Sequence, residues 1–144
     1  MTIEADQAAI AALTQKVVAS WAYQDAEGFA SVFTDDGTMI LAGVYCEGRA
    51  EIQSYMAEAF TGRYKGTQVV GKPLSMRFLS ADITILLSLG GVLESGATEV
   101  DRDSAIRASW LAARQDDGQW RLVAYQNTPR YPAATGGSAH GRAA

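Results

Sequence analysis

The chain has 144 residues, 48% of them hydrophobic and 19% charged, with 12 Lys and Arg against 16 Asp and Glu for a net charge of −4. That length makes about one domain and buries roughly 68–70% of its unfolded surface, enough for a core without disulfide staples. The single cysteine, Cys46, excludes an internal disulfide, no basic cluster marks a nucleic-acid binder, and the longest apolar stretch, Ile83 to Val92, is too short to span a bilayer.

Ile10, Leu13, Val17 and Trp21 recur at steps of three and four, which predicts a first helix with one apolar stripe. A break follows near Tyr23-Gln24-Asp25, where Asp25 suits an N-cap. Ala26, Phe29, Ala30 and Phe33 predict a short second helix, closed by the turn signal Asp35-Asp36-Gly37. Thr38 to Leu41 reads as a short strand, and Gly43 to Gly48 as a loop or brief hairpin. A third helix is predicted from Arg49 to Thr61, with Ile52, Tyr55, Met56, Ala59 and Phe60 on its stripe and Gly62 as its stop.

From there the period switches to two. Leu74, Met76 and Phe78 form one alternating set; Ile83, Ile85, Leu87 and Leu89 form another. Arg107, Ser109 and Leu111 form a third, and Trp120, Leu122 and Ala124 a fourth. Ser80-Ala81-Asp82, Glu94-Ser95-Gly96 and Asp116-Asp117-Gly118 separate them, so four antiparallel strands joined by hairpins are predicted. Helices first and strands after make an α+β domain, residues 1–131, with a disordered tail at 132–144. An acidic start without a signal-peptide pattern reads as a soluble cytoplasmic protein.

Several chemistries find no residues. The single histidine, His140, sits in the tail run Gly136 to Arg142, which removes Ser-His-Asp, Cys-His and histidine-metal sites. Gly90-Gly91 and Gly136-Gly137 do not make a dinucleotide fingerprint. Among carboxylates, Asp35 and Asp36 lie in a turn, Glu47 precedes a helix, and Asp103 sits at a strand start. None stands alone inside an apolar run, the setting that raises a carboxyl pKa. Cys46 has no neighbouring His or Lys to activate it. No metal and no cofactor is expected, and the catalytic residues stay unknown.

Four stretches carry a family resemblance: Ser20 to Gly37, Cys46 to Ile52, Arg77-Phe78-Leu79-Ser80-Ala81-Asp82, and Asp117 to Thr128. In order and spacing they resemble the NTF2-like, or SnoaL-like, superfamily. The Arg-Phe-Leu-Ser-Ala-Asp run and the ending Tyr125-Gln126-Asn127-Thr128 look most like its SgcJ/EcaC branch, associated with enediyne and other polyketide biosynthesis. The resemblance implies a cone-shaped domain: a curved antiparallel sheet covered by three N-terminal helices, with a pocket on the concave face and a homodimer on the convex one. It implies an apolar small-molecule ligand and a polyketide synthase or tailoring enzyme as a possible partner.

Related domains turn the strand face of Arg107 and Ser109 into the pocket, so these two become its polar candidates. Gln126 and Asn127 end the last strand on opposite faces, and Gln126 is assigned to the pocket mouth. The apolar stripes add Trp21, Phe33, Tyr55, Met76 and Trp120 as ligand-binding candidates. Ketosteroid isomerase, of the same superfamily, uses an Asp base with a Tyr and a protonated Asp as oxyanion hole. Aligned on this chain those roles fall on Val17, Leu41 and Ser109 or Trp110, so that mechanism is not expected here. The expected function is binding of a polyketide-type intermediate, with cyclisation, isomerisation or oxidative tailoring, or alternatively a non-catalytic dimeric accessory module.

Overall fold

The computed structural model describes residues 2–132; the rest of the expected tail, His140 included, lies outside the described residues. The helices fall where the periodicity puts them. Helix α1 (Ile3–Ala22) is capped by Thr2, whose hydroxyl accepts from the Ala5 N–H at 3.1 Å. Helix α2 (Ala26–Ser31) is capped by Asp25, which accepts from the Gly28 N–H at 3.0 Å. Helix α3 (Arg49–Thr61) follows Gly48, whose φ of +95° suits glycine, and stops at Gly62.

The strands are longer and more numerous than the alternation suggested. They are β1 (Phe33–Leu41), β2 (Val44–Glu47), β3 (Gln68–Ser80), β4 (Ile83–Leu93), β5 (Ala105–Arg114) and β6 (Trp120–Pro129). They form one curved, unclosed sheet in the order β2-β1-β6-β5-β4-β3. Three helices with a curved sheet is the α+β architecture expected. One detail is corrected: the sheet is mixed, because β1 runs parallel to β6.

The Asp35-Asp36-Gly37 turn is also corrected. These residues lie inside β1, where the register with β6 slips between Phe33 and Thr38. A bulge uses the same residue types as a turn. Arg49 clamps it: Nε and Nη2 donate to the Phe33 carbonyl at 3.0 and 2.6 Å, and Nη1 pairs with Asp35 at 2.6 Å. Phe33 therefore opens a strand instead of closing α2. The Gly90-Gly91 pair has a packing role. A Cβ at Gly90 would come within 2.6 Å of the Val70 carbonyl, and one at Gly91 within 2.6 Å of the Ser104 carbonyl.

The core lies between the helices and the inner face of the sheet. Ile10, Phe29, Ile52, Met56 and Phe60 from the helices meet Phe33, Met39, Ala112, Trp120 and Leu122 from the strands. One charge is buried with them. Asp6 lies four residues before Ile10 on the α1 stripe and is only 7% exposed. Arg114 at the end of β5 donates Nη1 and Nη2 to its two oxygens at 3.0 and 2.9 Å. The same guanidinium gives Nε to Asp82 in the β3–β4 turn at 2.9 Å and lies 4.8 Å over the Trp120 ring. One residue thus ties α1 to two hairpins.

The bonds from Arg114, against the cost of burial, hold the Asp6 carboxyl below its ordinary 3.8. Its folded-state value lies below its unfolded one. The stabilisation is therefore present above 3.8 and lost as pH falls through the folded value. We expect Asp6→Asn to lower the melting temperature by several degrees at neutral pH. The gap to wild type should narrow in acid, measured by circular dichroism melts. A gap that does not change with pH contradicts the assignment.

Candidate functional site

Several inner-face residues border the core yet stay half-buried: Leu13, Tyr55, Tyr64, Val69, Met76, Val92, Trp110 and Tyr125. Residues that face inward without being sealed are those a bound molecule would meet. Tyr55 sits on the α3 stripe with Ile52 and Met56. Tyr64 lies between α3 and β3, and its ring packs on Trp21 with centroids 4.6 Å apart. Trp21 is held in turn by its Nε1 donating to Thr67 Oγ1 at 2.8 Å and by an edge contact with Phe60 at 5.5 Å. Across the interior, Trp110 on β5 meets Tyr125 on β6 edge-on at 4.7 Å and donates Nε1 to Ser88 Oγ at 3.0 Å. Asn127 donates Nδ2 to the Tyr125 oxygen at 2.9 Å.

The hydroxyls of this group are not all satisfied. Tyr55 Oη is buried and makes no hydrogen bond of good geometry among the described residues, although the Tyr64 hydroxyl lies beside it. Buried polar groups are nearly always paired, so an orphan one marks a place where something else bonds. Burial pushes the Tyr125 phenol up to about 12, against a lowering by Asn127. Burial, then the neighbouring Tyr55, raises Tyr64 as well. These phenols therefore stay neutral at physiological pH. The arrangement is an apolar, aromatic interior with a few neutral hydrogen-bonding tips, the usual make-up of a small-molecule site.

The structure divides the predicted site residues. Trp21, Tyr55 and Met76 lie at the inner face near this cluster. Phe33 and Trp120 are inward but sealed, at 1% and 4% exposure, and Trp120 stands apart beside Asp6 and Phe78. Arg107, Ser109 and Gln126 are on the opposite, outer face, which corrects their assignment to the pocket. Arg107 is exposed and pairs with Thr128, and Ser109 pairs with Gln126. On β5 it is Ala108, Trp110 and Ala112 that turn inward. On β6 the register slips so that Leu122 and Ala124 face consecutive residues Ala112 and Leu111, leaving Val123 as a bulge. The bulge flips the phase and brings Tyr125 and Asn127 inside in place of Ala124 and Gln126.

The carboxylates follow the same division. Asp35, Asp36, Glu47 and Asp103 are exposed; Asp35 holds Arg49, and Asp36 accepts from Thr34 Oγ1 at 3.0 Å. Asp6 is the buried charged residue among those described, and Arg114 holds it. An open groove beside this pair, lined by Ile3, Phe78, Ser80, Ala81 and Gly118, thus presents carboxylate and guanidinium already bonded to each other. At the three positions aligned with the isomerase roles the structure has buried Val17, half-buried Leu41 and inward-facing Trp110. Among the described residues no three His, Cys, Asp or Glu side chains gather as metal ligands, and no helix is long and apolar enough to cross a membrane.

Tyr64, Tyr125, Asn127, Trp110 and Ser88 were not picked out by pattern as site residues. Asp6 carried a readable signal, a carboxylate in register with an apolar stripe. Tyr125 and Asn127 of β6 carried none, because the bulge that turns them inward leaves no mark in the alternation.

Comparison with known proteins places this geometry. No curated protein matches the chain significantly. A Nostoc punctiforme domain of unknown function with a cystatin-like fold is similar at 27% identity and TM-score 0.82, over 88% of this chain and 78% of that one. A ketosteroid isomerase-like protein from Erwinia carotovora is 18% identical with TM-score 0.70, over 87% of this chain and 96% of that one. A hexachlorocyclohexane dehydrochlorinase from Novosphingobium barchaimii is 18% identical with TM-score 0.73, over 88% of each chain. The latter two likenesses are of fold alone. The SnoaL-like domain model matches residues 4–126, from the start of α1 to the inward turn of β6, and the chain therefore belongs to the SnoaL-like domain family, with the NTF2-like, cystatin-like fold.

Proposed function

We propose that this protein binds a largely apolar small molecule between the helices and the inner face of the sheet. The observation that carries the reading is the orphan Tyr55 hydroxyl inside an aromatic interior. Structural neighbours named for a ketosteroid isomerase and a hexachlorocyclohexane dehydrochlorinase support an apolar ligand. The Arg77 to Asp82 and Tyr125 to Thr128 runs, by their likeness to the SgcJ/EcaC branch, favour a polyketide or enediyne intermediate. With no carboxylate free in the interior among the described residues, any cyclisation, isomerisation or oxidative tailoring would rest on positioning and exclusion of water. Native mass spectrometry of the protein isolated from its own host tests this. A noncovalent extra mass that is lost on denaturation is expected. A bare mass under gentle conditions contradicts the reading.

A second reading, a homodimeric accessory module that docks on a synthase or tailoring enzyme, is favoured by the outer face. There Leu87, Ser109, Gln126 and Ile40 form one cross-strand row, and Ile85, Leu111 and Ala124 the next. Ile40, Ile83 and Leu87 are exposed. Exposed large apolar residues gathered on one sheet face mark an interface, and a second copy is the occupant proposed here. Light scattering should give a dimer, and Leu87→Asp should give a folded monomer. A wild-type monomer at working concentration contradicts it.

A further inference from the structure

Three arginines that are distant or separate in sequence come together where the last strand leaves the sheet. Arg102 sits in the short 3-10 turn Arg102–Ser104 before β5, Arg107 on the outer face of β5, and Arg130 just beyond β6. Backbone bonds fix these segments. The Arg130 N–H donates to the Ala105 carbonyl at 2.8 Å, and the Ser104 N–H donates to the Asp101 carbonyl at 2.9 Å. One aromatic ring then gathers the side chains. The Arg102 guanidinium lies 4.0 Å from the centre of the Tyr131 ring, and the Arg130 guanidinium 5.2 Å from the same centre. Arg107 Nη1 reaches the Arg130 carbonyl at 3.5 Å. Lys72 adds a further positive charge on the outer row of Arg107, two strands away through Leu89.

Among the described residues no carboxylate answers this cluster. Their ion pairs use Arg49, Arg114 and Arg121. Asp101 and Asp103 flank Arg102 in the chain, yet neither pairs with it. The chain carries a net charge of −4, so a gathering of cations runs against its composition. Cation–π contact restrains the Arg102 and Arg130 guanidiniums and leaves their N–H forks without an acceptor among the described residues. Like charges held within a Debye length of about 8 Å repel, and an anion seated among them relieves that repulsion.

The donors choose the anion. One guanidinium fork fills a carboxylate; three suit an anion with three oxygens and nearly two charges, which is a phosphate monoester. Arg102 and Arg107 are exposed, and Arg130 and Tyr131 are half-buried. Such a site grips a phosphate by charge and fork geometry and leaves the rest of the molecule in water.

We propose that Arg102, Arg107 and Arg130, gathered by Tyr131, form a binding site for the phosphate group of a small phosphorylated molecule. The site is independent of the interior, since Arg107 is on the outer face. Arg102 and Arg130 stand beyond the ends of β5 and β6, outside the apolar rows that a second copy would cover.

The test titrates the full chain at low salt with phenyl phosphate, and with benzoate as the carboxylate control. NMR follows the arginine Nε–H signals. Phenyl phosphate should give saturable shifts at these arginines and bind about tenfold tighter than benzoate. Arg130→Gln should weaken phenyl phosphate about tenfold, the loss of one charge-assisted contact. If that variant does not fold, Arg107→Gln takes its place with the same loss expected. Lys16→Gln removes an equal charge from the exposed face of α1 and should change nothing. Equal affinity for benzoate, an equal loss in Lys16→Gln, or no saturable shift at these arginines overturns the site. Binding to phosphatidate vesicles with none to phenyl phosphate overturns it in favour of a membrane surface.

Discussion

The two bonds from Arg114 to Asp6 organise what the rest of the molecule can do. They place the start of α1 against the ends of β5 and β6, and through Asp82 against the β3–β4 turn. A helix held there lies along the inner face of the sheet. Its other end brings Trp21 onto Tyr64 and Thr67. The pair also spends the one buried carboxylate among the described residues on architecture. Removing one partner would leave an uncompensated charge in the core, which is why such pairs are costly to break even where they add little net stability.

With that charge committed, the interior is left with neutral groups. Tyr55, Tyr64, Tyr125, Asn127 and Ser88 offer hydrogen bonds, and Trp21, Trp110 and Met76 offer apolar contact. A raised pKa keeps the Tyr125 and Tyr64 phenols protonated, so their chemistry is donation of a hydrogen bond. The positions that align with the acid–base groups of the isomerase carry Val17, Leu41 and Trp110. The fold is shared with such enzymes, but the groups that would run their chemistry are absent from those positions. A fold hosts many functions, and the site decides among them.

Much of the architecture could be read in the residues. The α1 and α3 stripes, the Asp25 cap and the hairpin turns at Ala81 and Asp117 all follow local rules, and local rules are what a single chain displays. What escaped was non-local. The parallel pairing of β1 with β6 joins residues almost ninety positions apart. The Asp35-Asp36-Gly37 signal was real, but a bulge answers to it as well as a turn does. Alternation groups Arg107 with Ser109 and Leu111, and it does so correctly. It cannot say which face turns inward when both faces are half apolar. On β6 the Val123 bulge then reverses the phase, so Gln126 and Asn127 exchange places. The inward facing was legible at Trp21, Tyr55 and Met76, which sit on simple stripes, and illegible at Tyr125 and Asn127.

The central claim is that a ligand meets the phenols of the interior, and a crystal structure of the protein isolated from its own host tests it most directly. The expected result is a bound molecule between Trp21, Trp110 and Met76, in contact with the Tyr55 hydroxyl. An empty interior, or a molecule seated only in the groove beside Asp6 and Arg114, would contradict it.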